Sequence, residues 1–292
     1  MVQLGFSLQA KYACSQERVI ELLHDAGFSA VSPVWTPELD LDGLAAYTKK
    51  YNMIIQSLHA PHGGSDLLWD PQNPLSAKIR DNILRCIDDC ARFHIPLTVL
   101  HGWQGLQYTF PEGPLDFSLF DQIVDHGEQK KVTIAFENLE GEEYLEALLT
   151  RYQDRPYVGY CWDAGHDHCY PHKMDFLAAF GQRLRMTHIN DNLGLRDPSG
   201  IPSGDDDLHF LPFDGNIRWD DAIRRLENVP KQKILNFEIK TRSFSTAPED
   251  LIYEKLSPEA FFQLAGQRAR MIADLYDQMM DAHAIAPKEF TL

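Results

Sequence analysis

Several β-rich stretches of the sequence end in a side chain that can bind a metal ion or move a proton. The stretch VGYCWD, residues 158–163, is apolar or aromatic until it reaches Asp163, and His166 follows three residues later. Similar stretches end at or reach His59, His101, Glu137, His188 and Glu238. Imidazole and carboxylate groups together are typical ligands of divalent metals such as zinc, manganese or iron. Carboxylates that meet without a cation would repel and take up protons, so a shared metal ion would explain why they are gathered.

The segment VGYCWDAGHDHCY, residues 158–170, has two interpretations when it is taken alone. Asp and Gly often open a turn, so the segment could be a solvated turn between a strand and a helix. It could also be half of a metal site, with Asp163 and His166 as ligands. Cys161 lies within the strand and is interpreted as a small core residue. The recurrence of His, Asp and Glu at other strand ends favours the metal site.

The segment DDDLHF, residues 205–210, adds two candidate ligands to this set. Asp207 and His209 have the spacing that lets alternate residues of an extended segment face the same way. If the register is shifted by two residues, Asp205 replaces Asp207. With Asp207 in place, the candidate ligands are His59, His101, Glu137, Asp163, His166, His188, Asp207, His209 and Glu238. This set is too large for one ion and suits two or three ions that share carboxylates.

The elements that position these side chains alternate between short β-rich runs and longer helical patterns. The predicted strands cover residues 3–8, 30–35, 53–59, 97–101, 132–137, 158–163, 184–189 and 234–239. The predicted helices cover about 15–27, 75–93, 117–130, 142–152, 174–182, 219–227 and 257–283. Ser15 and Ser257 are suitable caps for the first and last of these helices.

This alternation over 292 residues predicts an α/β protein with the (β/α)₈ TIM barrel architecture, as a single domain over residues 1–292. A doubly wound open sheet usually has a glycine-rich phosphate turn after its first strand, and FSLQAKYAC is not such a turn. In a TIM barrel, the carboxyl ends of the strands converge on one face, where active sites are built. The long irregular stretch 190–217 is expected to be functional.

Composition limits the classes of partner. The chain has 27 basic and 43 acidic residues and a formal net charge of −16, which argues against a nucleic-acid partner. No apolar run reaches the ~18 residues of a membrane span, and the first residues lack the pattern of a signal peptide, so we expect a soluble cytoplasmic protein. Five cysteines do not suggest a disulfide framework. A homo-oligomer is possible, because the sequence does not determine the oligomeric state.

The ordered motifs LHAPH, VLHGW, FENL, WDAGH, THIND, DLHFLPFDGNIRW and FEIK resemble the xylose isomerase-like TIM barrel superfamily. This superfamily includes sugar-phosphate isomerases and epimerases, ketose 3-epimerases and the endonuclease IV type of abasic-site endonuclease. The resemblance runs from the third predicted strand to the eighth. Each motif alone is weak, and the ordered set is specific.

The resemblance implies two alternative sites. In the isomerase and epimerase branch one metal ion is held by four ligands, which fall here on Glu137, Asp163, His188 and Glu238. The two glutamates then act as acid and base on opposite faces of the sugar carbon, and His166 contacts the substrate. In the endonuclease IV branch three zinc ions use nine ligands, and all nine candidates match. One to three divalent ions per chain are therefore expected.

Three functions follow from these alternatives. The first is a metal-dependent isomerase or epimerase of a small sugar or sugar phosphate, which transfers a proton at a carbon next to a carbonyl. The second is a multi-metal phosphoesterase that acts on a small phosphorylated substrate or on abasic DNA. The third is a barrel that only binds a ligand. Lys240, two residues after Glu238, is a candidate substrate contact or a solvated lysine, and Trp35 and Trp103 could pack on a sugar face or in the core.

Overall fold

The computed structural model describes residues 1–8, 12–170, 172–242 and 245–285 and contains parallel strands that curl into a barrel. The strands are β1 (Gln3–Leu8), β2 (Ala30–Pro33), β3 (Ile54–Ile55), β4 (Leu58–His59), β5 (Leu97–His101), β6 (Thr133–Glu137), β7 (Val158–Asp163), β8 (Leu184–His188) and β9 (Ile234–Phe237). Both faces of these strands are covered, so most of their residues are apolar and buried, as expected for parallel sheets.

The barrel consists of two sheets that meet at two seams. One sheet has the strand order β3-β2-β1-β9, and the other has the order β4-β5-β6-β7-β8. The sheets join through the isolated parallel bridges Val34–His59 and Ile189–Phe237. The predicted (β/α)₈ fold is therefore confirmed, with β3 and β4 sharing one of the eight barrel positions.

Helices follow the strands and pack around the barrel. They are α1 (Gln16–Asp25), α2 (Leu41–Lys50), α3 (Ser76–Arg92), α4 (Ser118–Lys130), α5 (Glu142–Arg151), α6 (Ala164–Cys169), α7 (Phe176–Phe180), α8 (Trp219–Arg224) and α9 (Pro258–Ile285). Ser15 caps α1 by accepting a hydrogen bond from the Arg18 amide. The main core lies between strands and helices, and a smaller cluster from β5–β8 fills the barrel with Leu97, Val99, Ala135, Cys161 and Met186.

The predicted elements differ from the structure at three places. The predicted strand 53–59 is divided, because the chain leaves β2 at Ile55 and pairs with β5 from Leu58. Helix α2 was not predicted; Asp40 caps it and Gly43 weakens the helical pattern of its first turn. Helix α6 was also not predicted and begins directly after Asp163.

The stretch 190–217 folds back over the carboxyl ends of the strands. Asp191 and Phe210 exchange backbone hydrogen bonds of 2.8 Å, which closes the stretch into a loop. A short 3₁₀ helix at Gly204–Asp206 precedes Asp207 and His209, so both candidate ligands reach the barrel mouth. Within the described ranges, no helix is both long and apolar enough to cross a membrane.

Candidate metal centre

Glu137 is the centre of a buried cluster at the carboxyl ends of the strands. Its side chain is fully buried, and its Oε2 lies 3.2 Å from Nε2 of both His59 and His101. Its Oε1 lies 2.6 Å from Nδ1 of His188 and 3.7 Å from Nδ1 of His166. One carboxylate from β6 therefore faces four imidazoles that come from other parts of the barrel.

All nine predicted ligands lie in three groups whose candidate ligand atoms are within 4.8 Å of one another. The first group is formed by His59, His101 and Glu137, and the second by His166, Asp207 and His209. The third group is formed by Glu137, Asp163, His188 and Glu238. Glu137 belongs to two groups and could bridge two ions. The Cys161 sulfur also lies near Glu137 and His188, although Cys161 belongs to the interior core.

The hydrogen bonds of three imidazoles test whether these residues fit a cation. Nδ1 of His59, His166 and His209 lies 2.8–2.9 Å from the carbonyl oxygens of Ala60, Asn138 and Glu238, so in each ring Nδ1–H is the donor. The Nε2 atom of a neutral ring then carries a lone pair. Nε2 of His59 faces Glu137, and Nε2 of His209 faces Asp207 at 3.1 Å. Two acceptors that face each other need a cation or a proton between them, so the residues fit a metal centre.

The Nδ1 atom of His188 joins the two glutamates. It lies 2.6 Å from Oε1 of Glu137 and 2.9 Å from Oε2 of Glu238. Burial alone would raise the pKa of both glutamates, but the neighbouring imidazoles, His188 foremost, hold the pKa of each carboxyl well below its usual range. Both glutamates are therefore carboxylates near neutral pH and can accept either a metal ion or a proton.

Asp163 both caps a helix and belongs to the cluster of candidate ligands. It ends β7 fully buried, and its Oδ1 accepts a 2.7 Å hydrogen bond from the His166 amide, which caps α6. Asn190 donates to both carboxylate oxygens at 3.1 and 2.9 Å. Burial and the nearby Glu137 charge raise the pKa of Asp163 to about 6. The segment is thus a strand-to-helix turn, but the turn is buried in the cluster rather than solvated.

The D-x-H segment reaches the cluster through Asp207 rather than through Asp205. Oδ1 of Asp207 lies 3.6 Å from Nε2 of His166 and has no hydrogen-bond partner among the described residues. Asp205 instead accepts hydrogen bonds from Thr246 at the outer side of the loop. Arg196 bonds Asp206 and Asp250 and so fixes the loop around the candidate ligands.

A cavity of about 140 Å³ opens onto the cluster. Lys240 and Glu238 line this cavity, and burial lowers the pKa of Lys240 although Asp207 and Glu238 partly oppose this effect. His62 also lines it, with its ring centroid 5.4 Å from those of His59 and His101. Burial and these two rings lower the pKa of His62 to about 3, so His62 is a neutral imidazole.

Three further polar residues of the lining, Glu140, Tyr170 and Gln104, were not among the predicted ones. Glu140 follows Glu137 by three residues, and Tyr170 follows α6 with its ring centroid 5.5 Å from that of His166. Both lie in segments that directly follow ligand-bearing strands, and this position was the available signal in the sequence. Gln104, in the loop after β5, is a third such residue.

Trp35 and Trp103 do not line the cavity beside the cluster. Trp35 is only 1% exposed, and its Nε1 donates a 2.7 Å hydrogen bond to Asp89 of α3. Trp103 stacks on Tyr144 with a centroid distance of 4.2 Å, and its Nε1 donates to the Gly105 carbonyl. Trp35 packs against α3, and Trp103 packs against α5 and its own loop, so their positions give no support to a contact with a substrate in this cavity.

Comparisons with known proteins agree with this architecture. The chain is 28% identical over 262 residues to the uncharacterized protein y4fM of Sinorhizobium fredii (strain NBRC 101917 / NGR234), covering 75% of this chain and 79% of that protein. It superposes on the crystal structure of an IOLI protein with a binding zinc atom at a TM-score of 0.69, with 17% identity and coverage of 95% and 99%. It superposes on an L-ribulose 3-epimerase at a TM-score of 0.70, with 14% identity and 99% coverage of each chain.

The structural likenesses show the fold, since their sequence identities are low. The family model for the xylose isomerase-like TIM barrel matches residues 20–258, which is most of the chain and includes every candidate ligand. The ordered motifs, the barrel topology and this match agree with one another. The chain therefore belongs to the xylose isomerase-like TIM barrel family.

Proposed function

We propose that this protein is a divalent-metal-dependent sugar isomerase or epimerase, which moves a proton at a carbon next to a carbonyl. The observation that carries the proposal is the pair Glu137 and Glu238, whose carboxylates both lie within hydrogen-bond distance of the same His188 nitrogen. Glu238 also lines the cavity beside Lys240, where a small substrate has room to bind. The epimerase among the similar structures supports this class of reaction.

The ion would be held by Glu137, Asp163, His188 and Glu238, whose candidate ligand atoms lie within 4.8 Å of one another. A bound divalent ion supplies electrophilic stabilisation for negative charge that develops on substrate oxygens. Asn190 fixes the orientation of Asp163 by its two hydrogen bonds. Zinc, manganese and iron all suit this mixture of oxygen and nitrogen donors.

The chain's own side chains would carry the proton. Glu238, with a side chain 15% exposed, is the more accessible carboxylate, whereas Glu137 is fully buried. One glutamate would accept the carbon-bound proton and the other would return it to the opposite face. Lys240 would donate a hydrogen bond to a substrate oxygen, and His166 would contact the substrate from the other side of the cavity.

The test is exchange of solvent deuterium into a panel of ketoses, followed by nuclear magnetic resonance, with protein loaded in turn with zinc, manganese and iron. We expect exchange at the carbon beside the carbonyl for at least one ketose. Glu238→Gln should lower kcat by about 10²–10⁴-fold, as loss of a general base does. Glu249→Gln, at an exposed position outside the cavity, should retain the rate. Exchange that is equal in both variants would contradict the assignment of Glu238.

A second function is favoured by one observation, which is that all nine candidate ligands lie in three adjoining groups, two of which share Glu137. Such a cluster suits a multi-metal phosphoesterase, in which clustered ions activate water and stabilise a leaving oxygen. The net charge of −16 favours a small phosphorylated substrate over abasic DNA.

Elemental analysis of tag-free protein separates the two functions. About one ion per chain, with deuterium exchange on a ketose, supports the isomerase. Two or three zinc ions per chain, with hydrolysis of 4-nitrophenyl phosphate and no exchange on any ketose, supports the phosphoesterase. Protein that takes up no ion on titration contradicts both proposals.

A further inference from the structure

A second cavity, of about 180 Å³, adjoins the cavity at the metal centre. Glu140 and Tyr170 line both cavities, so these two residues form the boundary between them. The second cavity extends away from the candidate ligands and is bounded by the loop after β5, the first turn of α5 and the segment after α6. A substrate longer than the first cavity would therefore continue past Tyr170 into the second.

His172 is a buried polar group in the wall of this second cavity. Its side chain is only 7% exposed, and its Nε2 has no hydrogen-bond partner among the described residues. Its Nδ1 lies 3.9 Å from Oε2 of Glu142, which is beyond hydrogen-bond distance. Burial lowers the pKa of His172, so the ring is neutral and can donate or accept. An unsatisfied buried polar group is costly, and a polar ligand would remove that cost.

The charges around the second cavity disfavour an anion. Glu140, Glu142 and Glu143 line it, and among its described lining residues Lys173 is the single cation. The Lys173 side chain is 83% exposed, and its Nζ already lies 3.6 Å from Glu142 and 3.4 Å from Glu143. Tyr108 donates a 2.5 Å hydrogen bond to Glu143 and adds a hydroxyl to the wall. A phosphate group placed here would meet more negative than positive charge.

We propose that this second cavity binds the distal, uncharged, hydroxyl-bearing end of a substrate whose reacting carbons lie at the metal centre. Hydroxyl groups can donate to the carboxylates of Glu140 and Glu142 and can bond His172 in either direction. The substrate class is then a free sugar rather than a sugar phosphate. This inference rests on the proposed isomerase or epimerase function, whose substrate it specifies.

Binding of compounds that cannot react tests the inference separately from turnover. Metal-loaded protein is titrated calorimetrically with sorbitol, sorbitol 6-phosphate and inorganic phosphate, the last of which reports direct binding of phosphate to the ion. We expect sorbitol to bind at least about tenfold more tightly than sorbitol 6-phosphate. We also expect sorbitol 6-phosphate to bind no more tightly than inorganic phosphate. Tighter binding of sorbitol 6-phosphate than of both other compounds would overturn the inference.

Variants locate the bound end of the ligand. His172→Ala should weaken sorbitol binding about fivefold, the effect of one lost hydrogen bond to a neutral group. Glu143→Gln should reduce the discrimination against sorbitol 6-phosphate several-fold, while Glu146→Gln removes the same charge from an exposed position of α5 and should not. Thermal melting verifies that each variant is folded. Unchanged affinities in both His172→Ala and Glu143→Gln would contradict the proposed subsite.

The reaction and the subsite can fail independently. If sorbitol binds as expected and no ketose exchanges a proton, the proposed reaction is wrong and the binding cavity stands. If ketoses exchange a proton but ketoses phosphorylated at the terminal carbon react with a higher kcat/KM, the proposed reaction stands and the inference is wrong.

Discussion

At the scale of single residues, the candidate site depends on side chains that orient the ligands as much as on the ligands. Asp163 bonds to Asn190 through both oxygens, and Asn138 bonds to the backbone of Asp163 in both directions. These amides leave the Asp163 carboxylate one orientation. Partners of metal ligands typically change metal affinity by about 10–100-fold when they are removed.

We therefore predict that Asn190→Ala lowers the affinity for the divalent ion about tenfold or more. The carboxylate of Asp163 would lose both hydrogen bonds from the Asn190 amide nitrogen and rotate away from Glu137 and His188. Competition with a coloured chelator measures the affinity. Asn228→Ala, at an exposed position far from the cluster, serves as the control. Equal affinities of the two variants would show that Asn190 does not position Asp163.

Trp35 permits a prediction about stability without an effect on binding. Its indole N–H donates to Asp89 and its ring is buried, so Trp35→Phe removes one hydrogen bond to a charged acceptor. We expect a loss of about 1–2 kcal/mol in the free energy of unfolding. Urea denaturation measures this loss, and KM for any substrate should remain unchanged. A raised KM in a stable variant would restore the role of Trp35 in substrate binding.

At the scale of elements, the sequence was sufficient to predict the strands because parallel strands are buried on both faces and end in polar residues. VTIAFE and VGYCWD both show this change, and β6 and β7 end at Glu137 and Asp163 as predicted. Helix α6 could not be predicted, because its residues AGHDHC lack an apolar stripe and its stability comes from the Asp163 cap. For lining residues such as Tyr170 the sequence indicates only the segments that follow the strands, because how each loop folds decides which side chains reach the cavity.

The start of α6 gives a prediction about backbone packing. A Cβ atom at Gly165 would lie 1.8 Å from Oδ1 of Asn190 and 2.6 Å from Nδ2 of Asn192. Gly165→Ala should therefore displace Asn190, lower the free energy of unfolding by about 1–3 kcal/mol and weaken metal binding. Gly113→Ala meets no atom within 4 Å and is the matched control. Both quantities come from denaturation and chelator titration.

If Gly165→Ala bound metal as well as the natural chain, the contact between α6 and Asn190 would not support the site. If only its stability fell, the helix start would matter for folding alone. The matched variant separates these effects from a general consequence of adding a methyl group.

At the scale of the whole molecule, the candidate metal centre brings carboxylates together in a chain that already carries a net charge of −16. Removing the ion should therefore destabilise the protein. We expect that a divalent ion at about 100 times its Kd stabilises the fold by about 3 kcal/mol and raises Tm by several degrees. Calorimetric scans with chelator, with zinc or manganese, and with sodium chloride at matched ionic strength measure this effect. An equal rise with sodium chloride would indicate charge screening instead.

The candidate ligands lie at the two seams where the sheets of the barrel meet. His188 lies on one sheet and Glu238 follows the last strand of the other, so the pair spans the seam at the Ile189–Phe237 bridge. His59 lies at the opposite seam, where its backbone forms the bridge with Val34. Because candidate ligands lie on both sides of a seam, an ion bound there would cross-link the two sheets of the barrel. Binding of the ion would then limit how readily the two sheets separate at the seam. Metal occupancy and the opening motions of the whole barrel would therefore be coupled.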